Sequence, residues 1–148
     1  MKKYLVLANF VFFMTQLLSA QSKDAIAGKW ENPTKEGRLE IYERDNKFYG
    51  KLYWLKNMND KNGNPKLDEG NPDPTLRNRH ILGLEILRKF SYAGENVWDD
   101  GEIYDPKSGK IYKCKMTLKD SNTLQIRGYI GFSFLGRTEI WKRVNDAL

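Results

Sequence analysis

The chain has 148 residues, with 25 Lys and Arg against 19 Asp and Glu, a net charge of +6 at pH 7. This length fits one domain, and the two signs of charge are interspersed, which argues against a nucleic-acid binder with basic residues concentrated on one face. The sequence contains a single Cys, so an internal disulfide is excluded and stability must come from the core.

The first 20 residues predict a cleavable signal peptide. Lys2 and Lys3 form a positively charged start, residues 4–18 are apolar, and Ala20 provides a small residue at the cut. The apolar stretch is short for a membrane span, which needs about 20 such residues. We therefore expect a signal peptide followed by one domain over 21–148, in the periplasm or secreted, with no stable membrane span after cleavage.

Alternation of apolar and polar residues predicts about eight short strands after the signal peptide. In chain order they lie around Trp30 and over 38–43, 47–55, 82–86, 98–104, 111–118, 123–130 and 137–144. Turn-forming residues separate the runs, and no sustained helical periodicity follows Ala20. The pattern predicts an all-β fold, a single small antiparallel barrel whose closure leaves few exposed edges.

Two tryptophan motifs bracket this domain and predict how the barrel closes. Gly28-Lys29-Trp30 begins the first strand, and Trp141-Lys142-Arg143 ends the last. A large indole can plug the closed end, and a guanidinium can lie flat over an aromatic face. Two indoles are available to Arg143, and we expect it to choose Trp30 because Gly28 leaves room beside that ring.

A stretch of Asn, Asp, Gly, Pro and Lys over 56–78 predicts a long loop, and loops of this length are usually functional or disordered. Arg77 and Arg79 at its end point the same way if the chain is extended. They are candidates for holding a carboxylate or phosphate at the mouth of the barrel. The alternative is that they pair with Asp68, Glu69 or Asp73 and brace the loop.

Aromatic residues on the strands are candidates for a ligand pocket, although core packing is the alternative role for each. The predicted ligand-binding set beyond the two loop arginines is Trp54, Trp98, Tyr104, Tyr129 and Arg127. Alternation also places Asp100 and Glu102 on one face. A carboxylate pair there would suit a hydrolase. The alternative is that the two acidic residues are solvated at the beginning of the strand and have no catalytic role.

No other arrangement predicts catalysis or metal binding. The segment Asp60-Lys61-Asn62-Gly63-Asn64 departs from a calcium loop, since Pro65 stands where that loop needs Gly. Cys114 lies on an apolar strand face and is predicted to be inert. A Ser-His-Asp hydrolase would depend on the single His, His80. No catalytic residue, metal or cofactor is therefore predicted.

Several short motifs follow one another in a fixed order along the domain. They include Gly28-x-Trp30, Asn71-Pro72-Asp73-Pro74 with Leu76-Arg77-x-Arg79, Trp98-x-x-Gly101-x-Ile103-Tyr104-Asp105-Pro106, and Trp141-x-Arg143. Together they resemble a bacterial family known as domain of unknown function 2147. The resemblance implies an exported, lipocalin-like, up-and-down barrel. It implies no catalytic residue, and His80 stands where the family usually has Pro.

The leading hypothesis is an exported barrel that binds a small apolar or amphipathic molecule. The main alternative is a structural or interaction protein of the cell envelope with a filled barrel and no ligand. A hydrolase using Asp100 and Glu102 is a distant third. A continuous apolar pocket of about 300 Å³ inside the barrel would favour the first hypothesis. The oligomeric state is left open.

Overall fold

The computed structural model describes residues 22–132 and 135–145. Within them, eight antiparallel strands follow one another around a closed barrel, and the last pairs with the first. The strands are β1 Gly28–Glu31, β2 Gly37–Arg44, β3 Lys47–Leu55, β4 Glu85–Gly94, β5 Val97–Asp105, β6 Lys110–Asp120, β7 Thr123–Tyr129 and β8 Gly136–Arg143. The all-β, up-and-down barrel predicted from the sequence is confirmed. The predicted signal peptide lies outside the described residues.

Two short 3₁₀ helices accompany the strands. The N-terminal one spans Lys23–Ile26 and the second, in the long loop, spans Pro74–Leu76. Across the described ranges, no helix has the length and apolar character needed to cross a bilayer.

The alternation in the sequence becomes the alternation between core and surface, because successive side chains of a strand point to opposite faces. Strand β6 shows this clearly: Cys114, Met116 and Leu118 are buried, whereas Lys113 is exposed. Large side chains fill one half of the barrel. Those that are at most 1% exposed include Trp30, Phe48, Phe90, Trp98 and Met116.

The filled half is also the closed end. The Arg143 guanidinium carbon lies 4.1 Å from the centroid of the Trp30 ring, as predicted. Its Nη2 and Nη1 donate to the carbonyls of Ala25 and Ala27 at 2.7 and 2.9 Å. A Cβ on Gly28 would lie 2.8 Å from Arg143 Nη1, and the φ of Gly28 is +124°. Glycine is therefore required here both for space and for backbone conformation.

Irregularities in the strand pairing overturn one predicted orientation. Simple alternation predicts that Trp54 faces inward, together with Leu52. The register between β2 and β3 shifts after Arg38, so that Trp54 lies opposite Arg38 on the outer face. The Arg38 guanidinium carbon is 4.5 Å from the Trp54 ring centroid. A β-bulge reverses the facing of the residues beyond it, and alternation alone does not reveal a bulge.

Two further differences come from the fourth and fifth strands. The run predicted at 82–86 becomes a strand only from Glu85, and Leu82 is 40% exposed in the preceding loop. In β5, Asp100 has φ +58° and occupies a bulge. The bulge turns Gly101 inward, where an added Cβ would be 2.4 Å from the Phe90 ring. The core is therefore closely packed at this level of the barrel.

Four connections form the opposite end of the barrel. They are the β1–β2 turn, the β5–β6 turn, the β7–β8 connection and the long loop between β3 and β4, residues 56–84. We call this the open end. Large buried side chains plug the closed end, whereas the inward-facing positions nearest the open end are partly exposed.

Candidate functional site

The mouth of the barrel is the first candidate site. Its inward-facing, partly exposed residues are Leu55, Ile103, Tyr112, Gly128 and Glu139. Their inward orientation follows from the register, because directly paired residues share a face: Ile103 pairs with Tyr112, and Glu139 pairs with the buried Ile126. These residues, called the cup below, give the mouth a mostly apolar inner surface above the filled half.

A polar group lies at the rim of this cup. Glu139 accepts a hydrogen bond from Trp141 Nε1 at 3.1 Å and pairs with Arg137 Nη2 at 3.1 Å. The Arg137 side chain is 84% exposed, so it can move toward a ligand at little expense. An apolar cup with one charged pair at its edge suits an amphipathic molecule.

The second candidate site is on the outer wall, where the long loop docks against β5. Asp68 is fully buried and accepts hydrogen bonds on both carboxylate oxygens. Tyr104 donates to Oδ1 at 2.5 Å, while Arg79 Nη2 and Asn71 Nδ2 donate to Oδ2 at 2.6 and 2.8 Å. The cluster of Asp68, Asn71, Arg79 and Tyr104 is called the loop anchor below.

The loop anchor changes the acidity of its members. Burial by itself would raise the pKa of Asp68, but the hydrogen bonds from Tyr104, Arg79 and Asn71 outweigh it and hold that pKa below its ordinary value. Burial, followed by the bond to the Asp68 carboxylate, raises the pKa of Tyr104. The anchor therefore holds an ionised Asp and a neutral Tyr at neutral pH.

The motif Asn71-Pro72-Asp73-Pro74 with Leu76-Arg77-x-Arg79 helps to hold the long loop against β5. The Asn71 carbonyl accepts from Arg77 Nε at 2.7 Å, and Asp73 Oδ1 accepts from the Thr75 amide at 2.9 Å at the start of the 3₁₀ helix. In the β5–β6 turn, a Cβ on Gly109 would come within 2.0 Å of the Gly70 carbonyl oxygen. Together, these contacts fix how the long loop packs against the outer wall of the barrel.

The structure distributes the predicted ligand-binding residues over different surfaces. Arg79 pairs with Asp68, as in the second of the two alternatives drawn from the sequence, whereas Arg77 donates to the Asn71 carbonyl. Tyr104 belongs to the loop anchor. Trp98 is buried in the closed half, where its Nε1 donates to the Lys23 carbonyl at 3.2 Å. Trp54 faces outward, as described above.

The remaining predicted residues lie on the outer face of β7 and its neighbours. Arg127 Nη1 donates to Thr138 Oγ1 at 2.7 Å. Tyr129 lines a depression of about 410 Å³, together with Asp100 and Glu102. The structure therefore brings the two acidic residues of the hydrolase hypothesis to one surface groove. Glu102 Oε1 is 3.7 Å from Arg88 Nη1.

A larger depression, of about 650 Å³, lies beside the loop anchor. It is lined by Arg79, His80, Leu82, Leu84, Glu85 and Arg88. The larger depression is on the outer wall, and the smaller one is lined mostly by outward-facing residues, so neither is the interior pocket that the leading hypothesis describes.

Sequence reasoning missed several residues that these surfaces depend on. It named Asp68 only as an alternative partner for the loop arginines, and it did not single out Arg88 or Glu139. The signal for Asp68 is present in the sequence, because an acidic pair, Asp68 and Glu69, close to a motif with two arginines favours an ion pair. For Glu139 the signal is alternation, which places it on the same face as Trp141, two residues further along the strand.

No metal site emerges in residues 22–132 and 135–145, where no three His, Cys, Asp or Glu side chains converge. Asp60 Oδ1 instead accepts from the amides of Asn62 and Asn64 at 2.8 and 2.9 Å, so it organises its own turn. Cys114 is buried, and burial raises the pKa of its thiol to about 12. A thiol of this pKa is a poor nucleophile at neutral pH.

Comparison with known proteins agrees with the barrel and its motifs. Residues 28–143 match the family model described as "Uncharacterized protein conserved in bacteria (DUF2147)". The chain belongs to this family. The structure is similar to that of protein HP1028 from the human pathogen Helicobacter pylori, described as belonging to the lipocalin family. The two have a TM-score of 0.68 and 25% identity over 81% of this chain and 83% of that one. A search of curated proteins gave no match.

Proposed function

We propose that this member of the family is exported and binds a small apolar or amphipathic molecule in the mouth of its barrel. The observation that carries the proposal is the contrast between the two ends. Trp30, Phe90 and Trp98 fill the closed half, whereas inward-facing Ile103 and Tyr112 near the open end keep part of their surface exposed. The lipocalin-like barrel supports it, because eight-stranded barrels of the lipocalin type have room for one small ligand.

Shape and polarity set the ligand class. Leu55, Ile103 and Tyr112 offer apolar and aromatic contact, and burying apolar ligand surface there contributes about 25 cal/mol per Å². The Arg137–Glu139 pair at the rim would bind a polar end of either charge. The ligand would therefore enter tail first, with its polar group toward solvent.

Filling the mouth tests the proposal. A Cβ on Gly128 would lie 3.4 Å from Ile103 Cγ2 and 3.8 Å from Tyr112 Cβ, which is ordinary contact, so that Gly128→Leu adds volume without a backbone clash. We expect this variant to weaken binding of the neutral dye N-phenyl-1-naphthylamine by at least about 10-fold, the effect of losing one or two apolar contacts. Fluorescence titration measures it.

Gln125→Leu is the matched control, since Gln125 lies on the same strand and faces outward. It should leave dye binding unchanged. Equal binding to both variants and the parent protein would refute a ligand site in the mouth. Native mass spectrometry of protein purified from its own cell envelope then asks whether a bound molecule accompanies the chain.

A specific observation favours the alternative of an interaction protein with no ligand. The β7–β8 connection exposes apolar residues at the open end: Ile130 is 69%, Phe132 68% and Leu135 58% exposed. Exposed apolar groups of this kind often mark a contact surface. Loss of dye binding in Ile130→Ser with no loss in Gly128→Leu would favour that alternative.

A further inference from the structure

The 650 Å³ depression on the outer wall has two guanidinium groups in its lining. One, Arg79, comes from the end of the long loop, and the other, Arg88, comes from β4. This depression is outside the barrel mouth, and the packing of the long loop does not explain why the two arginines line the same surface.

Arg79 is only partly used by the loop anchor. Its Nη2 pairs with Asp68 Oδ2, but the second oxygen of Asp68 is occupied by Tyr104, so the pair is not bidentate. Arg79 Nε is buried with no hydrogen-bond partner among the described residues. The side chain remains 34% exposed and faces the depression. A ligand in the depression cannot reach the buried Nε, so the donors left over for one are those of the exposed part of the guanidinium.

Arg88 is held in a similar way. Its Nε donates to the Glu85 carbonyl at 3.1 Å, and its guanidinium carbon is 5.5 Å from the Tyr104 ring centroid. The carboxylate of Glu102 is 3.7 Å away, beyond a good hydrogen bond. The backbone bond and the aromatic ring fix the direction of the side chain, and its Nη1 makes this long ion pair with Glu102. Tyr104 links the two arginines, because its ring lies near Arg88 and its hydroxyl donates to the carboxylate that Arg79 also contacts.

The acidic residue in the lining is Glu85, which accepts hydrogen bonds from the Tyr42 hydroxyl and from Arg44 at 3.1 Å. Asp68 and Glu102 lie outside the lining, and each pairs with one of the two arginines. The depression therefore presents two guanidiniums, His80 and one carboxylate that is already paired. Beside them, Leu82 and Leu84 provide an apolar strip, and Gly83 leaves open space between the two.

We propose that this depression binds a small organic anion, whose carboxylate or phosphate lies between Arg79 and Arg88 and whose apolar part lies along Leu82. Guanidinium groups suit both headgroups, because their planar donors match paired oxygens. The bound anion would take up the donor capacity that the loop anchor leaves unused. It would also join the long loop to β4 and so stabilise the docked loop.

Titrations with octyl phosphate, octanoate, inorganic phosphate and the neutral octyl glucoside, each below micelle formation, test the proposal by NMR of the backbone amides. We expect the anions, but not octyl glucoside, to shift the amides of Leu82 and Gly83. Comparison of octyl phosphate with octanoate tells which headgroup is preferred. Comparison with inorganic phosphate tells how much the tail contributes.

Arg88→Gln should weaken octyl phosphate binding by at least about 10-fold, as loss of a charge-assisted hydrogen bond does. Lys119→Gln, which removes an exposed positive charge near the end of β6, should have no effect. Leu82→Asp, at an exposed position, should weaken binding without altering either arginine.

The proposed anion site is separate from the barrel mouth, so the Gly128→Leu variant should bind octyl phosphate with the same affinity as the parent protein. Unchanged affinity in both Arg88→Gln and Leu82→Asp would overturn the proposal. So would shifts confined to Tyr112 and Gly128, or the absence of any shift at millimolar anion.

Discussion

Arg143 joins three segments of the chain at the closed end. It donates to the carbonyls of Ala25 and Ala27 before β1 and, through Nε, to the Ser121 carbonyl in the β6–β7 turn at 2.6 Å. Burial lowers the pKa of Arg143, but a guanidinium starts so high that it stays charged. The Arg143 guanidinium therefore stays over Trp30 because three backbone carbonyls accept its hydrogen bonds, an arrangement called the Arg143 clamp below.

We expect Arg143→Lys to lower the free energy of unfolding by about 1–3 kcal/mol, because an ammonium group cannot reach three carbonyls and stack on Trp30 at once. Arg137→Lys, on a side chain that is 84% exposed, should change it by less than about 0.5 kcal/mol. Urea unfolding followed by tryptophan fluorescence measures both. Equal effects in the two variants would contradict the clamp.

At the scale of an element, the long loop is held to the barrel by the loop anchor and the turn around Gly109. The strands supply their own hydrogen bonds, whereas residues 56–84 contain the 3₁₀ helix, two isolated bridges and scattered backbone bonds, such as the one from the Asp68 amide to the Arg79 carbonyl at 2.9 Å. The side-chain bonds of Asp68 add the link from this loop to Tyr104 on β5. Removing one of these side-chain bonds should release the long loop from the barrel while the strands stay folded.

Asp68→Asn keeps the shape of the side chain and removes its charge. We expect loop docking to weaken by about 2–4 kcal/mol, less than for a fully buried pair because Arg79 is partly exposed. Hydrogen exchange at the amides of Asp68 and Asn71 should accelerate, whereas exchange in β6 should not. Glu69→Gln, at the exposed neighbouring position, is the control and should leave exchange unchanged.

Acid should have the same effect on the parent protein. The docked pKa of Asp68 lies below its ordinary value of 3.8, so the undocked loop takes up the proton first. The stabilisation from Asp68 is present above that value and is lost as the pH falls below it. Exchange at Asn71 should accelerate below about pH 4 in the parent protein and be less pH-dependent in Asp68→Asn. The same acceleration in Asp68→Asn would assign the transition to another group.

At the scale of the whole molecule, the barrel has a rigid end and an open one. Large aromatic side chains and the N-terminal 3₁₀ helix fill the closed end, while the connections and the long loop surround the mouth. Sites are therefore concentrated at the open end and on the outer wall, where the loops meet the strands. A scaffold of this kind lets loops vary while the barrel stays constant.

We expect the whole molecule to be exported with residues 1–20 removed, because the charged start and apolar stretch have the character of a signal peptide. Fractionation of the native bacterium and N-terminal sequencing should find a chain beginning at Gln21 outside the cytoplasm. Replacing Val11 and Phe12 by Asp should block cleavage and retain the full-length chain in the cell. A full-length chain in the cytoplasm of the unaltered strain would refute export.

The sequence by itself determined the number of strands, the positions of seven of them and the contact between Trp30 and Arg143, because alternation, turn residues and a glycine are local signals. It misplaced β4, predicted at 82–86 and found at Glu85–Gly94. Tertiary structure alone decided the surroundings of Trp54 and Tyr104, since a bulge turns Trp54 outward and a loop distant in sequence buries Tyr104 outside the barrel. Burial of these residues depends on which segments meet in space, and no local pattern encodes that.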